Sequence, residues 1–119
     1  MRKTARFDEN EYILLLTLKA GEYTGSRVSD VDLFRIRNAM PHLAETLKKS
    51  LRPGDAVAQF SDSQYVILLS ACTYEGGMLA ANRIISKFYQ DHKVYRNLKI
   101  KIHIEKVKTA EHILNKYSG

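Results

Sequence analysis

The stretch from Leu51 to Ser70 constrains the fold of this chain more than any other part of it. Leu51 closes an apolar helical pattern, and Arg52-Pro53-Gly54-Asp55 follows at once. Proline presets φ at one central position of a four-residue turn and glycine tolerates positive φ at the next, so this quartet turns the chain sharply. Ala56 to Ser61 then reads as a short strand, Asp62-Ser63 as a tight turn, and Gln64 to Ser70 as a continuous apolar strand. A helix, a turn and a hairpin are thus specified within twenty residues.

The flanking segments complete the pattern. Glu11 to Lys19 is leucine-rich and too short for a helix, so it reads as a strand buried on both faces. Gly21 to Gly25 form a loop. Ser29 or Asp30 can cap a long helix whose apolar residues Leu33, Ile36, Met40, Leu43, Leu47 and Leu51 step by three and four. Pro41 lies inside it, which predicts a kink or a break. Thr73 can cap a second helix with Leu79, Ala81, Ile85 and Phe88 on one face, its first turn weakened by Gly76-Gly77. Leu98 to Val107 alternates, with Leu98, Ile100, Ile102 and Ile104 opposed by Lys99, Lys101, His103 and Glu105. Thr109 to Tyr117 reads as a short terminal helix.

The order β-α-β-β-α-β predicts an α+β, ferredoxin-like fold with an antiparallel sheet in the order 4-1-3-2. Strand chemistry supports that order: the first and third strands are continuously apolar, as central strands are, and the fourth carries the lysines of an edge. At 119 residues, 45% apolar and 27% charged, one domain spanning residues 1–119 is expected. No run is apolar enough for a membrane span and no signal-peptide pattern opens the chain. Cys72 is the lone cysteine; it can form no internal disulfide, has no zinc-ligand partner and reads as an inert packed thiol, which points to a reducing cytoplasm. The net charge of +6 is scattered, with Lys48, Lys49 and Arg52 at one helix end and Lys99, Lys101, Lys106 and Lys108 near the C-terminus. That is the pattern of a solvated basic surface. His42, His92, His103 and His112 show no mutual spacing that suggests a metal site.

The segment "SLRPGDAVAQFSDSQYVILLS" resembles the core of a GGDEF domain, the bacterial module that makes cyclic di-GMP. Where that family carries R-Y-G-G-D-E-F, this chain carries Gln59-Phe60-Ser61-Asp62-Ser63-Gln64-Tyr65, and Arg52-x-x-Asp55 stands at the spacing of the family's inhibitory R-x-x-D. The resemblance implies two-metal phosphoryl chemistry in active members, with carboxylates from the end of the first strand and from the hairpin. Here those positions are Thr17, Lys19 and Gln64. An ammonium repels divalent ions, and a neutral amide is a poor magnesium ligand. The paired glycines that admit nucleotide phosphates have become Ser61 and Asp62, and the latter adds negative charge. The resemblance therefore implies a degenerate, non-catalytic domain with no metal and no cofactor. It extends to the GGDEF-like module of bacterial transcriptional regulators of the SARP/BTAD type, which lies C-terminal to a DNA-binding winged helix. On that reading the chain is a piece of a larger regulator.

Arg52 and Asp55 are the one site-like pair. In active relatives this motif grips cyclic di-GMP, with the arginine fork on guanine acceptors and the carboxylate on guanine N–H groups. The same four residues are also an ideal helix-to-strand turn, and the structural reading is favoured. The expectation is a regulatory or interaction module whose partners are other domains of its own larger chain and a second copy. Direct DNA contact and membrane association are not expected, and cyclic di-GMP is an alternative ligand that is not favoured. A basic ferredoxin-like RNA binder is a further alternative, with Tyr12, Phe60 and Tyr65 as stacking residues, but Gln64 to Ser70 lacks the glycine-and-aromatic pattern of such a platform.

Overall fold

A computed structural model describes residues 11–20 and 29–107. Its elements are β1 (Tyr12–Ala20), α1 (Asp30–Ser50), β2 (Ala56–Ser61), β3 (Gln64–Leu69), α2 (Tyr74–Asp91), a 3-10 turn (Lys93–Tyr95) and β4 (Leu98–Lys106). All neighbouring strands run antiparallel, in the order β2-β3-β1-β4. This is the expected α+β ferredoxin-like arrangement, with the two apolar strands central. The expected terminal helix over 109–117 lies outside the described residues, as does the loop over 21–25.

Each helix begins where its cap residue dictates. The Ser29 side chain accepts from the Asp32 N–H and the Thr73 side chain from the Gly76 N–H, so each supplies an acceptor to an otherwise orphaned donor. Asp30 and Asp32 open α1 while Lys48 and Lys49 close it, matching the helix dipole at both ends. Of the kink or break expected at Pro41, the break does not occur: α1 runs unbroken through it. Pro41 and Arg37 are both exposed, so the carbonyl that Pro41 cannot serve is on the wet side of the helix.

The core forms where one sheet face meets both helices. Leu14 and Leu16 of β1, Leu43 and Leu47 of α1, Ile67 of β3, Phe88 of α2 and Leu98 of β4 are all fully buried there. Registers place Leu14 between Ile67 and Ile104, and Leu16 between Tyr65 and Ile102. Burying side chains of this size contributes roughly 1.5–3 kcal/mol each. Tyr65 satisfies its hydroxyl by donating to the Met40 carbonyl at 2.9 Å, and burial pushes its pKa up. Thr46, a buried polar residue of α1, donates back to the His42 carbonyl one turn earlier.

Two expectations about faces need correction. β1 is not covered equally on both sides along its whole length: Leu14, Leu16 and Leu18 are buried under the helices, whereas on the other face Ile13 is buried but Leu15 is half-buried and Lys19 is exposed. On α2 the buried line is Gly77, Ala81, Ile84 and Phe88, while Leu79 is 67% exposed. Gly77 lies in that line for a steric reason. A Cβ there would come within 2.6 Å of Ile104 Cδ1, so the glycine lets α2 sit close to the sheet.

Candidate functional site

The sequence singles out two places: the strand end and hairpin around Thr17 and Gln64, and the turn at Arg52–Asp55. The sheet register sets Thr17 directly opposite Gln64. The Gln64 amide nitrogen donates to the Thr17 hydroxyl at 3.1 Å, and its carbonyl oxygen accepts from the Ser61 hydroxyl at 2.8 Å. Both ends of the amide are therefore engaged by neutral groups. Lys19 lies two residues further along the same face of β1, opposite Lys99 of β4.

The hairpin is fastened by backbone as well. The Leu18 N–H donates to the Ser63 carbonyl at 2.8 Å, and the Gln59 amide donates to the Ser61 carbonyl. Among the described residues the only non-glycine with positive φ is Ala71, so Asp62-Ser63 is not one of the turns that match strand twist with left-handed residues. A register shift between Gln59 and Ser61 lies beside it, as expected where a poorly matched turn must be accommodated. Asp62, 84% exposed, stands 4.0 Å from the Arg37 guanidinium, a surface pair worth little.

Arg52–Asp55 folds as the expected turn, with the Asp55 N–H donating to the Arg52 carbonyl at 3.0 Å and Gly54 at φ +97°. The Asp55 side chain is only 2% exposed. Its oxygens accept from the backbone N–H groups of Arg52 and Ser70 at 3.0 and 3.1 Å, from Arg52 Nε at 3.4 Å and from the Ser70 hydroxyl at 3.4 Å. Burial works to raise its pKa, but those two N–H groups and the guanidinium outweigh it and hold the carboxyl below its ordinary value. Arg52 also donates from Nη2 to the Ser70 carbonyl at 2.5 Å while its side chain stays 57% exposed. The pair ties the helix end to the end of β3.

Beside this turn is a cleft of about 150 Å³ walled by Arg52, Asp55, Leu69, Cys72, Ala80 and Arg83 among others. Cys72 is partly buried in it, and burial pushes its thiol pKa up despite the attraction of Arg52. A thiol held protonated is a poor nucleophile. The proposed stacking residues are not exposed together: the registers put Tyr12 and Tyr65 on the side of the sheet that the helices cover. Tyr65 is buried under α1, Tyr12 packs edge-on against Tyr74 of α2 with ring centroids 6.3 Å apart, and Phe60 is exposed on the edge strand. No exposed aromatic platform results.

One cluster escaped the sequence reading. His42 of α1 and His92 at the end of α2 face each other with ring centroids 4.8 Å apart, and Glu45 joins them. The local signal was His42-x-x-Glu45 on one helical face; nothing in the spacing announced His92.

No family model matches this chain, and neither does any curated protein. Solved structures do. A DGC protein from Thermotoga maritima matches with a TM-score of 0.55 at 16% identity, over 93% of this chain and 78% of that one. The fold is GGDEF-like. A PelD fragment from Pseudomonas aeruginosa in complex with c-di-GMP also matches, with a TM-score of 0.52 at 13% identity, over 96% of this chain and 39% of that one. The chain thus spans well under half of the PelD fragment.

Proposed function

We propose that this GGDEF-like domain is non-catalytic and serves as a regulatory or interaction module of a larger cytoplasmic bacterial regulator. The observation that carries the reading is the neutral Thr17–Gln64 pair. Cyclase chemistry on this fold needs carboxylates at the strand end and the hairpin to hold two divalent ions. Here a hydroxyl and an amide satisfy each other at 3.1 Å, and Lys19 adds a cation on the same face. The transcriptional context of the SARP/BTAD type rests on the sequence resemblance, and the complete gene tests it through the winged-helix region expected upstream.

The activity test uses the purified chain with GTP and magnesium or manganese. No cyclic di-GMP is expected above a protein-free control. Turnover lost on Gln64→Ala would overturn the reading.

A second reading has its own support. The similarity to a PelD fragment solved with c-di-GMP, together with an arginine-flanked cleft at Arg52 and Arg83, fits a cyclic di-GMP receptor. Against it, the Asp55 oxygens already accept four hydrogen bonds, two from Arg52 and two from Ser70.

A further inference from the structure

We propose that His42, Glu45 and His92 form a zinc site that clasps α1 to α2. Each offers one ligand atom, and the three atoms lie within 4.8 Å of one another. In a tetrahedral zinc site, ligand atoms at about 2.0–2.1 Å from the metal are roughly 3.3 Å apart. The remaining closure falls to side-chain rotation, for which Glu45 is exposed. His42 and Glu45 are three residues apart on one helix, so both project from the same side of α1.

The third ligand is positioned by backbone. His92 caps α2, its N–H donating to the Phe88 carbonyl at 2.9 Å and its carbonyl accepting from the Tyr95 N–H at 3.0 Å. The chain is thereby fixed on both sides of the imidazole. Phe88, fully buried, packs on the His92 ring with centroids 5.4 Å apart, and Tyr95 lies 5.6 Å from the His42 ring. These aromatic rings wall the inner side of the cluster, while the exposed Glu45 leaves an outer side through which an ion enters.

The donor set selects the metal class. Two imidazoles and one carboxylate suit a borderline ion such as Zn2+ and disfavour Mg2+ and Ca2+, which prefer all-oxygen shells. Three protein ligands leave a fourth position for water. This site lies on the helices and shares no residue with the strand-end positions from which cyclase activity is judged.

The test is titration of the untagged full chain with Co2+ as a spectroscopic probe and with Zn2+ alone. One equivalent is expected, with the visible bands of tetrahedral cobalt, displaced by zinc. Zinc is expected to raise the melting temperature by at least about 4 °C, and EDTA to reverse the rise. Loss of a group that only hydrogen-bonds to a metal ligand weakens metal sites by about 10- to 100-fold, so His42→Gln and His92→Gln, which remove ligands themselves, should each weaken binding at least about tenfold. Glu45→Gln, a surface change that leaves the fold intact, should also weaken it. His103→Gln on β4 should not. Tetrahedral cobalt bands absent from the folded wild-type chain, or binding that Glu45→Gln leaves untouched and His103→Gln abolishes, would overturn the assignment.

Discussion

Thr17 and Gln64 face each other across β1 and β3, with the Gln64 amide donating to the Thr17 hydroxyl at 3.1 Å. A hydrogen-bonded neutral pair occupies the place where an active GGDEF domain is expected to bring carboxylates together. The pair also stitches the hairpin to the sheet, because Ser61 engages the other end of the same amide.

That geometry predicts what restoring charge does. In a Thr17→Asp, Gln64→Glu double variant, two carboxylates stand directly opposite each other. Repulsion is expected to cost about 0.2–1 kcal/mol beyond the lost hydrogen bond. Millimolar magnesium should then recover part of that loss in the variant and leave the wild-type melting temperature unchanged. Equal magnesium response in both proteins would show that the two positions do not converge on an ion.

Core packing makes a graded prediction. Ile67 is fully buried under the helices, Leu15 is half-buried on the opposite face, and Lys101 is exposed on β4. Ile67→Ala should cost roughly 2–5 kcal/mol and Lys101→Ala should stay within about 0.5 kcal/mol, with Leu15→Ala between them. Urea denaturation of the three variants checks the ranking. A Leu15→Ala loss equal to that of Ile67→Ala would mean that β1 is equally covered on both faces.

The grading also shows what the sequence carries. Strand order was legible because Leu14, Leu16 and Ile67 demand a buried setting, while the lysines of β4 demand an edge. Caps and turns were legible because Ser29, Thr73 and Pro53-Gly54 act on their nearest neighbours. Features set by distant partners were not. Leu15 and Leu16 are the same residue type, and only the sheet's pairing with α1 and α2 separates them. Gly77 looks like a helix weakener until Ile104 is placed beside it. His42 and His92 share no spacing, and the packing of α1 against α2 alone brings them together.

Asp55 makes stability pH-dependent in a defined window. Its folded pKa lies below the ordinary value, so its contribution is fully present above the unfolded carboxylate value, about 3.9, and is lost as pH falls through the folded pKa. Asp55→Ala should therefore cost roughly 1.5–3 kcal/mol at pH 7, where a charged acceptor leaves several donors unpaired. As pH falls through the folded pKa, part of the wild-type advantage should be lost. Chemical denaturation of both proteins at pH 7 and in acid measures this, and a pH-independent difference would assign the loss to packing rather than charge.

Arg52 separates receptor from scaffold. Read from the sequence alone, it is a surface arginine whose loss changes little. In the structure it donates to the Ser70 carbonyl and to Asp55, so Arg52→Ala should cost about 1 kcal/mol even without a ligand. If the guanidinium instead reads guanine, cyclic di-GMP should bind the wild-type chain saturably, and the same substitution should weaken binding by about 1–3 kcal/mol, roughly five- to 150-fold. Calorimetry decides between them. The expected result is no ligand heat up to high micromolar cyclic di-GMP, because the Asp55 oxygens that would meet guanine N–H groups are already held by Arg52 and Ser70. Gly54→Val should destabilise in either case, since a β-branched residue at φ +97° is strained and its Cβ meets Ser70 Oγ at 3.2 Å. Saturable binding at low micromolar ligand that disappears with Arg52→Ala would make this turn a receptor site.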